Sequence, residues 1–202
     1  MRRRAAVIIL IISLLITGLA VASPMEDAAK AYARGDYKTA YRLNKSLAVQ
    51  GNADAQFNLG IMYDNSQGVP QDYSEAVKWY RKAADQGHAH AQSNLGRMYA
   101  FGKGVPQDFA EAVKWYRKAA DQGHAHAQSN LGRMYALGKG VPQDYVLAHM
   151  WFNLAISRFT ASEQEEREKT GKLRDITAST MTPDQIAEAQ KLAREWKPKK
   201  EQ

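Results

Sequence analysis

Apolar residues recur at helical spacing through the middle of the chain. Four of them fall at i, i+4, i+7 and i+8, within an arc of about 100° at 3.6 residues per turn, namely Ala91, Leu95, Met98 and Tyr99. A wider stripe follows, with charged residues on its opposite side, and consists of Ala112, Val113, Trp115, Tyr116, Ala119 and Ala120. The pattern predicts two amphipathic helices, the second of which needs packing partners on both sides.

Residues that end and begin helices separate the two stripes. The linker reads GKGVPQ, in which both glycines can adopt positive φ and Pro106 keeps its neighbourhood extended. Asp108 is then placed to cap the second helix, and Glu111 three residues later predicts a capping box. We expect Val105 to fill the interior of the resulting hairpin.

This pair of helices is duplicated in tandem. Residues 72–107 and 108–143 differ only at Tyr73/Phe109, Ser74/Ala110 and Phe101/Leu137, and Trp79 and Trp115 give a period of 36 residues. A diverged copy occupies residues 36–71, and a further copy begins at Asp144 and fades near Arg158. A fixed period of this length predicts a solenoid, in which each unit buries its apolar face by stacking on a neighbour.

A glycine recurs inside the first helix of each copy, as Gly60, Gly96 and Gly132. A helical glycine costs about 1 kcal/mol relative to alanine, so its return predicts that a neighbouring backbone approaches closely there. In the diverged copy, Ser66 stands where the later copies have the first glycine of the linker. We expect that turn to be looser.

These residues resemble a known repeat family. The pattern A-x-x-x-L-G-x-x-Y-x-x-G-x-G-V-x-x-D-x-x-x-A-x-x-W-Y-x-x-A-A-x-x-G is complete between Ala91 and Gly123 and looks like the Sel-1-like repeat, a relative of the tetratricopeptide repeat. The resemblance implies an all-α fold, a right-handed α-solenoid of antiparallel helix pairs that serves as a scaffold or adaptor for protein complexes. For exported bacterial members, it implies roles in the cell envelope or in contact with a host.

The repeats divide the chain into segments. We expect a signal peptide at residues 1–22, an N-terminal partial repeat at 23–52, repeats at 53–88, 89–124 and 125–158, and capping helices with a tail at 159–202. In the last segment, Ser162 with Glu165 and Thr182 with Pro183 predict the starts of two helices, and residues 198–202 a frayed tail. The two helices would cover the apolar end of the last repeat, as solubility of a solenoid requires.

The N-terminus has the three parts of a secretory signal. Arg2, Arg3 and Arg4 precede an uncharged apolar stretch, and small residues at Ala20 and Ala22 predict cleavage before Ser23. The alternative is an uncleaved anchor, because residues 5–22 just reach the roughly 18 apolar residues that can span a bilayer. Both alternatives place the repeats outside the cytoplasm, and cleavage predicts a periplasmic or secreted protein.

Charge and cysteine content narrow the possible functions. The formal charge of +7 includes the three N-terminal arginines, whose removal leaves +4, and the remaining charges of both signs are interleaved. So mild an excess argues against nucleic acid as a partner. The chain has no cysteine, which excludes disulfides, thiolate chemistry and cysteine-ligated metals.

The first helix of each copy carries one stripe of candidate binding residues, and by analogy with tetratricopeptide arrays these helices would line a concave face. The stripe comprises Asp54, Phe57 and Ile61 in the diverged copy, His90, Ser93 and Arg97 in the next, and His126, Ser129 and Arg133 in the third. We expect this face to bind an extended or helical protein segment, with both arginines pairing to carboxylates. The alternative is a solvated helix face copied by duplication.

Pairs of histidines two residues apart raise the question of a metal site. His88 with His90, and His124 with His126, would point about 200° apart on one helix, which disfavours metal binding by a single helix. Stacking of the repeats could nevertheless bring like positions together. Exposed histidines at a helix entrance are the better interpretation, and we expect no metal and no cofactor. His149 stands where Val113 does in its repeat and is predicted to be a core histidine.

An enzymatic alternative comes from the same resemblance, since some exported relatives are reported to bind or hydrolyse β-lactams. Lys169-Thr170-Gly171 matches one serine β-lactamase element by its letters, but S-x-x-K and S-D-N are absent. The relatives with that activity are also cysteine-rich. We therefore expect a binding protein without catalytic activity, with an envelope enzyme or ligand-binding protein acting on peptidoglycan-like or β-lactam compounds as the alternative. The aromatic residues Trp79, Tyr80, Trp115 and Tyr116 are predicted to be core.

Overall fold

The structure is a computed structural model that describes residues 23–199. Within that range it consists of ten α-helices and one 3-10 turn, Ala161–Glu163, and contains no strand. The helices are α1 (Pro24–Ala33), α2 (Tyr37–Val49), α3 (Ala53–Asp64), α4 (Tyr73–Asp85), α5 (Ala89–Phe101), α6 (Phe109–Asp121), α7 (Ala125–Leu137), α8 (Tyr145–Ile156), α9 (Gln164–Ala178) and α10 (Pro183–Glu195). The predicted signal peptide and its cleavage site after Ala22 lie outside the described residues. No helix between Ser23 and Lys199 is long and apolar enough to span a membrane.

Consecutive helices pair into hairpins, α1 with α2, α3 with α4, α5 with α6 and α7 with α8, and each second helix also packs on the first helix of the next hairpin. The buried apolar residues form three clusters in succession along this array. Trp115 of α6 belongs to the cluster built by α4 and α5, and Trp79 of α4 belongs to the preceding one. Each hairpin therefore completes the core of its neighbour, which confirms the predicted α-solenoid.

Side-chain caps fix where the helices begin. Asp108 Oδ1 accepts a hydrogen bond from the backbone N–H of Glu111 at 3.0 Å, which confirms the predicted cap of α6. The Glu111 carboxylate contacts Lys114 at 2.9 Å, so the returning half of the predicted capping box is wrong. Val105 is half-buried against the α4–α5 cluster, as predicted for a residue that fills the hairpin.

The helical glycines lie beneath aromatic rings of the following helix. A Cβ on Gly96 would lie 2.8 Å from the Tyr116 ring and 3.1 Å from the Ala112 carbonyl oxygen. Gly132 has the same relation to Phe152, also at 2.8 Å. The predicted close approach is confirmed, although the nearest atoms belong to the ring, with the backbone slightly farther away.

Hydrogen-bonded glutamine side chains join successive repeats. Gln56 donates to the Ala48 carbonyl oxygen at 3.1 Å and accepts from Gln86 at 2.7 Å. The same two bonds recur one repeat later, where Gln92 donates to a backbone carbonyl and accepts from Gln122 at 2.8 Å. These bonds satisfy amides that would otherwise be costly to bury, and they hold the repeats in register.

The C-terminal helices close the array in an irregular way. α9 packs on α8 as another first helix would, but α10 packs against α8 rather than forming a hairpin with α9. Trp196 at the end of α10 meets the edge of Trp151, with ring centroids 6.2 Å apart. These contacts cover the last repeat, as a cap must.

Two local predictions for this segment are corrected. The capping box lies at Thr160 and Glu163, two residues before the predicted Ser162 and Glu165, because a 3-10 turn precedes α9. The predicted frayed tail is tied down at least to Lys199, whose backbone N–H donates to the Asp121 carbonyl oxygen at 2.8 Å. Residues 200–202 lie outside the described range.

Candidate functional site

The candidate residues of α3, α5 and α7 lie on one side of the array, which we call the first-helix face. It comprises Asp54, Phe57, Ile61, His90, Ser93, Arg97, His126, Ser129 and Arg133. Asp54, His90 and Arg133 are exposed, and most of the others are half-buried. Ser93 is only 6 % exposed, so its predicted exposure is wrong. Its short side chain does not reach past the longer side chains around it.

Four histidines form a row across the helix starts at one edge of this face, and we call His88, His90, His124 and His126 the histidine row. Successive ring centroids are 5.9, 4.5 and 5.9 Å apart. Phe57 stacks on His88 at 4.6 Å at one end, and Phe159 meets His126 at 5.1 Å at the other. Stacking brings the two pairs together, as the sequence allowed, but the rings that meet are those of His90 and His124, which occupy different positions in their repeats.

The caps assign the tautomers in the middle of this row. His124 Nδ1 accepts from the backbone N–H of Ala127 at 3.2 Å, so the proton of the neutral ring is on Nε2. That Nε2–H donates to His90 Nδ1 at 3.0 Å. Burial lowers the pKa of His124 to about 3, with neighbouring His90 and His126 adding to the effect. The expectation that these are simply exposed histidines is therefore wrong for His124.

The same tautomers disfavour metal binding by the row. A metal at His124 Nε2 would require loss of its proton or transfer of that proton to Nδ1, which would break the cap of α7. Between residues 23 and 199, no group of three or more histidine or carboxylate side chains is placed to hold a metal ion.

Carboxylates close both ends of the row. His88 Nε2 lies 3.2 Å from Asp54 Oδ1, and His126 Nε2 lies 2.7 Å from Glu163 Oε1. Hydrogen bonds from the backbone and side chain of Thr160 lower the pKa of Glu163 to about 2, and His126 contributes to this. The contact of Glu163 with His126 could not be predicted from the sequence, because the two residues are 37 apart and meet only through the fold of α9.

The two predicted arginines have different environments. Arg97 Nη2 pairs with Asp64 Oδ2 at 2.5 Å, and the Tyr80 hydroxyl donates to the same oxygen at 3.3 Å. Arg97 is therefore already paired within the chain, while its side chain remains 36 % exposed, and its pairing to a partner's carboxylate stays a prediction. Arg133 is exposed and has no ion pair among the described residues.

Arg133 borders two hollows in the first-helix face. One, of about 150 Å³, lies among the ends of α5 and α7 and the start of α6. The other, of about 340 Å³, lies between α7 and α9, where Lys169 and Lys172 stand beside Arg133. Ser129 at its base is hydrogen-bonded to Thr170 across 2.9 Å.

The remaining candidates have structural roles. Lys169, Thr170 and Gly171 lie inside α9, where Lys169 pairs with Glu165 and Glu166 and Thr170 is buried. His149 is 4 % exposed and hydrogen-bonded to Asn153 at 3.0 Å, which confirms a core histidine. Trp79, Tyr80, Trp115 and Tyr116 are all buried, as predicted.

Comparison with known proteins finds a repeat family and structures of repeat proteins. The sequence matches the Sel1 repeat at residues 53–88, 89–124 and 125–158. Among solved structures, it is similar to a Sel1 repeat protein from Oxalobacter formigenes, with 38 % identity and a TM-score of 0.64, covering 67 % of this chain and 54 % of that one.

A second similar structure is c5321, a protective antigen of uropathogenic Escherichia coli strains with an SLR fold. It shares 31 % identity with a TM-score of 0.56, covering 78 % of this chain and 40 % of that one. The chain thus spans about half or less of the length of these two proteins. Among curated proteins no match was found.

Proposed function

Because the chain belongs to the Sel1 repeat family, we propose that it is an exported scaffold that binds a protein or peptide partner on the concave, first-helix face of its array. Sel1 repeat proteins are generally scaffolds for protein interactions. Family membership supports the class of function, and the chemistry of this chain's own face supports the location.

The proposed location of the binding face rests on the unpaired Arg133. It is exposed beside two hollows, whereas its counterpart Arg97 is neutralised by Asp64. Phe57 and Ile61 add half-buried apolar surface farther along the same face. An apolar region with a free cation at one end suits a protein segment that carries both apolar and acidic side chains.

Export is the part of this proposal that the N-terminal sequence supports. Residues 1–22 have the charged, apolar and small-residue parts of a signal peptide. The absence of cysteine suits an envelope protein that needs no disulfide. The partner would accordingly be a protein of the periplasm or the extracellular space.

Affinity capture from envelope extract tests the binding face. The bait is the mature chain, compared with Ile61→Asp and Arg133→Glu on the first-helix face and with Lys38→Glu on α2. Lys38 is exposed and lies on a second helix, so its variant controls for a charge change alone. We expect one stoichiometric partner that both face variants lose and the control retains.

Equal capture by all variants would contradict the proposed location, and absence of any stoichiometric partner would contradict the proposed function. Circular dichroism of each variant verifies that the helices are intact. Hydrolysis of nitrocefin by the purified protein, abolished by one point substitution, would favour the enzymatic alternative.

A further inference from the structure

Asp64, Tyr80 and Arg97 form a buried polar group at the junction between two repeats. Asp64 is 6 % exposed and accepts from both the Tyr80 hydroxyl and Arg97. Burial raises the pKa of Tyr80, and the nearby Asp64 charge adds to this. At this junction, a tyrosine and an arginine both donate to a carboxylate of the chain itself.

One period later the two donors return without the carboxylate. The corresponding positions are Ala100, Tyr116 and Arg133. Tyr116 is 1 % exposed overall, and its hydroxyl makes no hydrogen bond to residues 23–199. The hydroxyl is not sealed in the core, so a ligand that enters beside it can accept its hydrogen bond.

A cavity lies at this place. The 150 Å³ hollow is lined by residues that include Ala100, Tyr116, Asn130 and Arg133. Lys139 is a second cation in its lining, and no carboxylate contributes to that lining. The hollow therefore combines positive charge, a hydroxyl that is free to donate, and space at the position that Asp64 occupies in the preceding repeat.

The rim of the cavity is apolar. Phe101 and Leu137 line it and are 63 % and 56 % exposed, which makes them two of the most exposed large apolar residues of the described chain. They occupy the same position in successive repeats, where the diverged copy has Asn65. The apolar rim and the position that lacks a carboxylate thus occur together at one junction.

We infer that this junction binds the carboxylate of an aspartate or glutamate side chain in a partner protein, with an adjacent apolar side chain of that partner lying between Phe101 and Leu137. Arg133 donates to the carboxylate as Arg97 does to Asp64, and the Tyr116 hydroxyl donates as Tyr80 does. The inference rests on the proposed function and gives it a partner chemistry, an acidic side chain next to an apolar one.

The following junction supplies an internal contrast. Its corresponding positions are Ala136, Phe152 and Lys169, so the hydroxyl is absent and the cation is already paired with Glu165 and Glu166. Among these three junctions, only the one at Ala100 has both donors and lacks its own carboxylate.

Titration of the isotope-labelled full chain with defined peptides tests the site. The probe is acetyl-Ala-Leu-Asp-Leu-Ala-amide, compared with the same peptide carrying asparagine and with sodium acetate. We expect saturable NMR shifts at Phe101, Arg133 and Leu137 with the aspartyl peptide, and binding at least about tenfold weaker for the asparagine peptide, since the charge-assisted bond is lost.

Ala100→Asp is the decisive variant. Its introduced carboxylate should occupy Arg133 and Tyr116 and abolish the peptide shifts, whereas Ala136→Asp at the next junction should leave the affinity within about twofold. If Ala100→Asp does not fold, Tyr116→Phe replaces it, because Phe152 shows that phenylalanine packs at this position. We expect that variant to bind several-fold more weakly.

Three results would overturn the inference. They are equal binding of the asparagine peptide, unchanged binding by folded Ala100→Asp, and acetate producing the same shifts with the same midpoint, which would indicate a site for free carboxylates. Failure of the proposed function can be distinguished from failure of this site. A stoichiometric partner retained by Ala100→Asp keeps the scaffold and removes this site, while absence of any partner removes the scaffold whatever the peptides do.

Discussion

Gly132 and Gly171 both lie inside helices, yet their surroundings predict opposite effects of alanine. A Cβ on Gly132 would lie 2.8 Å from the Phe152 ring, whereas no atom lies within 4 Å of one on Gly171. Overpacking costs about 1–3 kcal/mol, and alanine is favoured over glycine by about 1 kcal/mol in an open helix. We expect Gly132→Ala to lower the free energy of unfolding in urea and Gly171→Ala to raise it. Destabilisation by both would contradict this account of the packing.

Ser66 is a non-glycine residue in left-handed backbone conformation. Its φ is 58°, close to the 65° and 62° of Gly102 and Gly138 at the same position in later repeats. The turn therefore has the same conformation as its counterparts, and the expectation of a looser turn is wrong. The left-handed conformation costs about 1–2 kcal/mol for a residue with a side chain, such as this serine.

Ser66→Gly should therefore stabilise the protein. We expect a gain of about 0.5–1 kcal/mol, because relief of strain exceeds the added entropy of glycine in the unfolded chain. Loss of the 3.3 Å bond from Ser66 Oγ to the Val69 carbonyl oxygen reduces the gain slightly. Urea denaturation measures it, with Ser66→Ala as the matched control, which loses the same bond but keeps the strain. An equal effect of both substitutions would show that the backbone at Ser66 is not strained.

At the scale of helices, α7 depends on an uncharged histidine at its start. His124 caps α7 through Nδ1, and the charges of His90, His126, Glu163 and His88 act on it. Its pKa falls from 6.5 to about 3 on folding. Stability from the neutral ring is therefore fully present above pH 6.5 and is lost as the pH falls toward 3, by up to about 1.4 kcal/mol per pH unit.

His124→Asn should remove this acid sensitivity and keep the cap. Asn52 already caps α3 at the corresponding position, where its side chain accepts from Ala55 N–H at 2.8 Å. We expect the variant to lose less stability than the natural chain between pH 6.5 and 4, as measured by urea denaturation at several pH values. An unchanged slope would show that other groups cause the acid sensitivity.

Helices and caps were predictable because their signals are local. Thr182 with Pro183 marked the start of α10, and Asp108 marked that of α6. The pairing of Arg97 with Asp64 was missed because the two residues are 33 apart and meet only when repeats stack. A signal was nevertheless present, since aspartate stands at position 64 where the next copies have Ala100 and Ala136.

At the scale of the whole molecule, repetition gives each junction the same geometry, and single substitutions give it different chemistry. The junction at Asp64 is neutralised by that carboxylate, the one at Ala100 presents Arg133 and Tyr116, and the one at Ala136 is covered by α9. The capping helices thus leave the Ala100 junction open, with both of its donors unpaired among residues 23–199. Binding on the first-helix face is the claim on which the proposed function and the inferred carboxylate site both depend.

Site-specific photocross-linking in living cells shows where on the array the partner binds. A benzophenone amino acid is placed at Phe101 or Leu137 on the first-helix face, or at Lys38 or Lys114 on second helices, all of them exposed positions. We expect one adduct of defined mass from the first pair of positions and none from the second, with the adduct lost in Ala100→Asp. Adducts formed only from the second helices would contradict binding on the first-helix face.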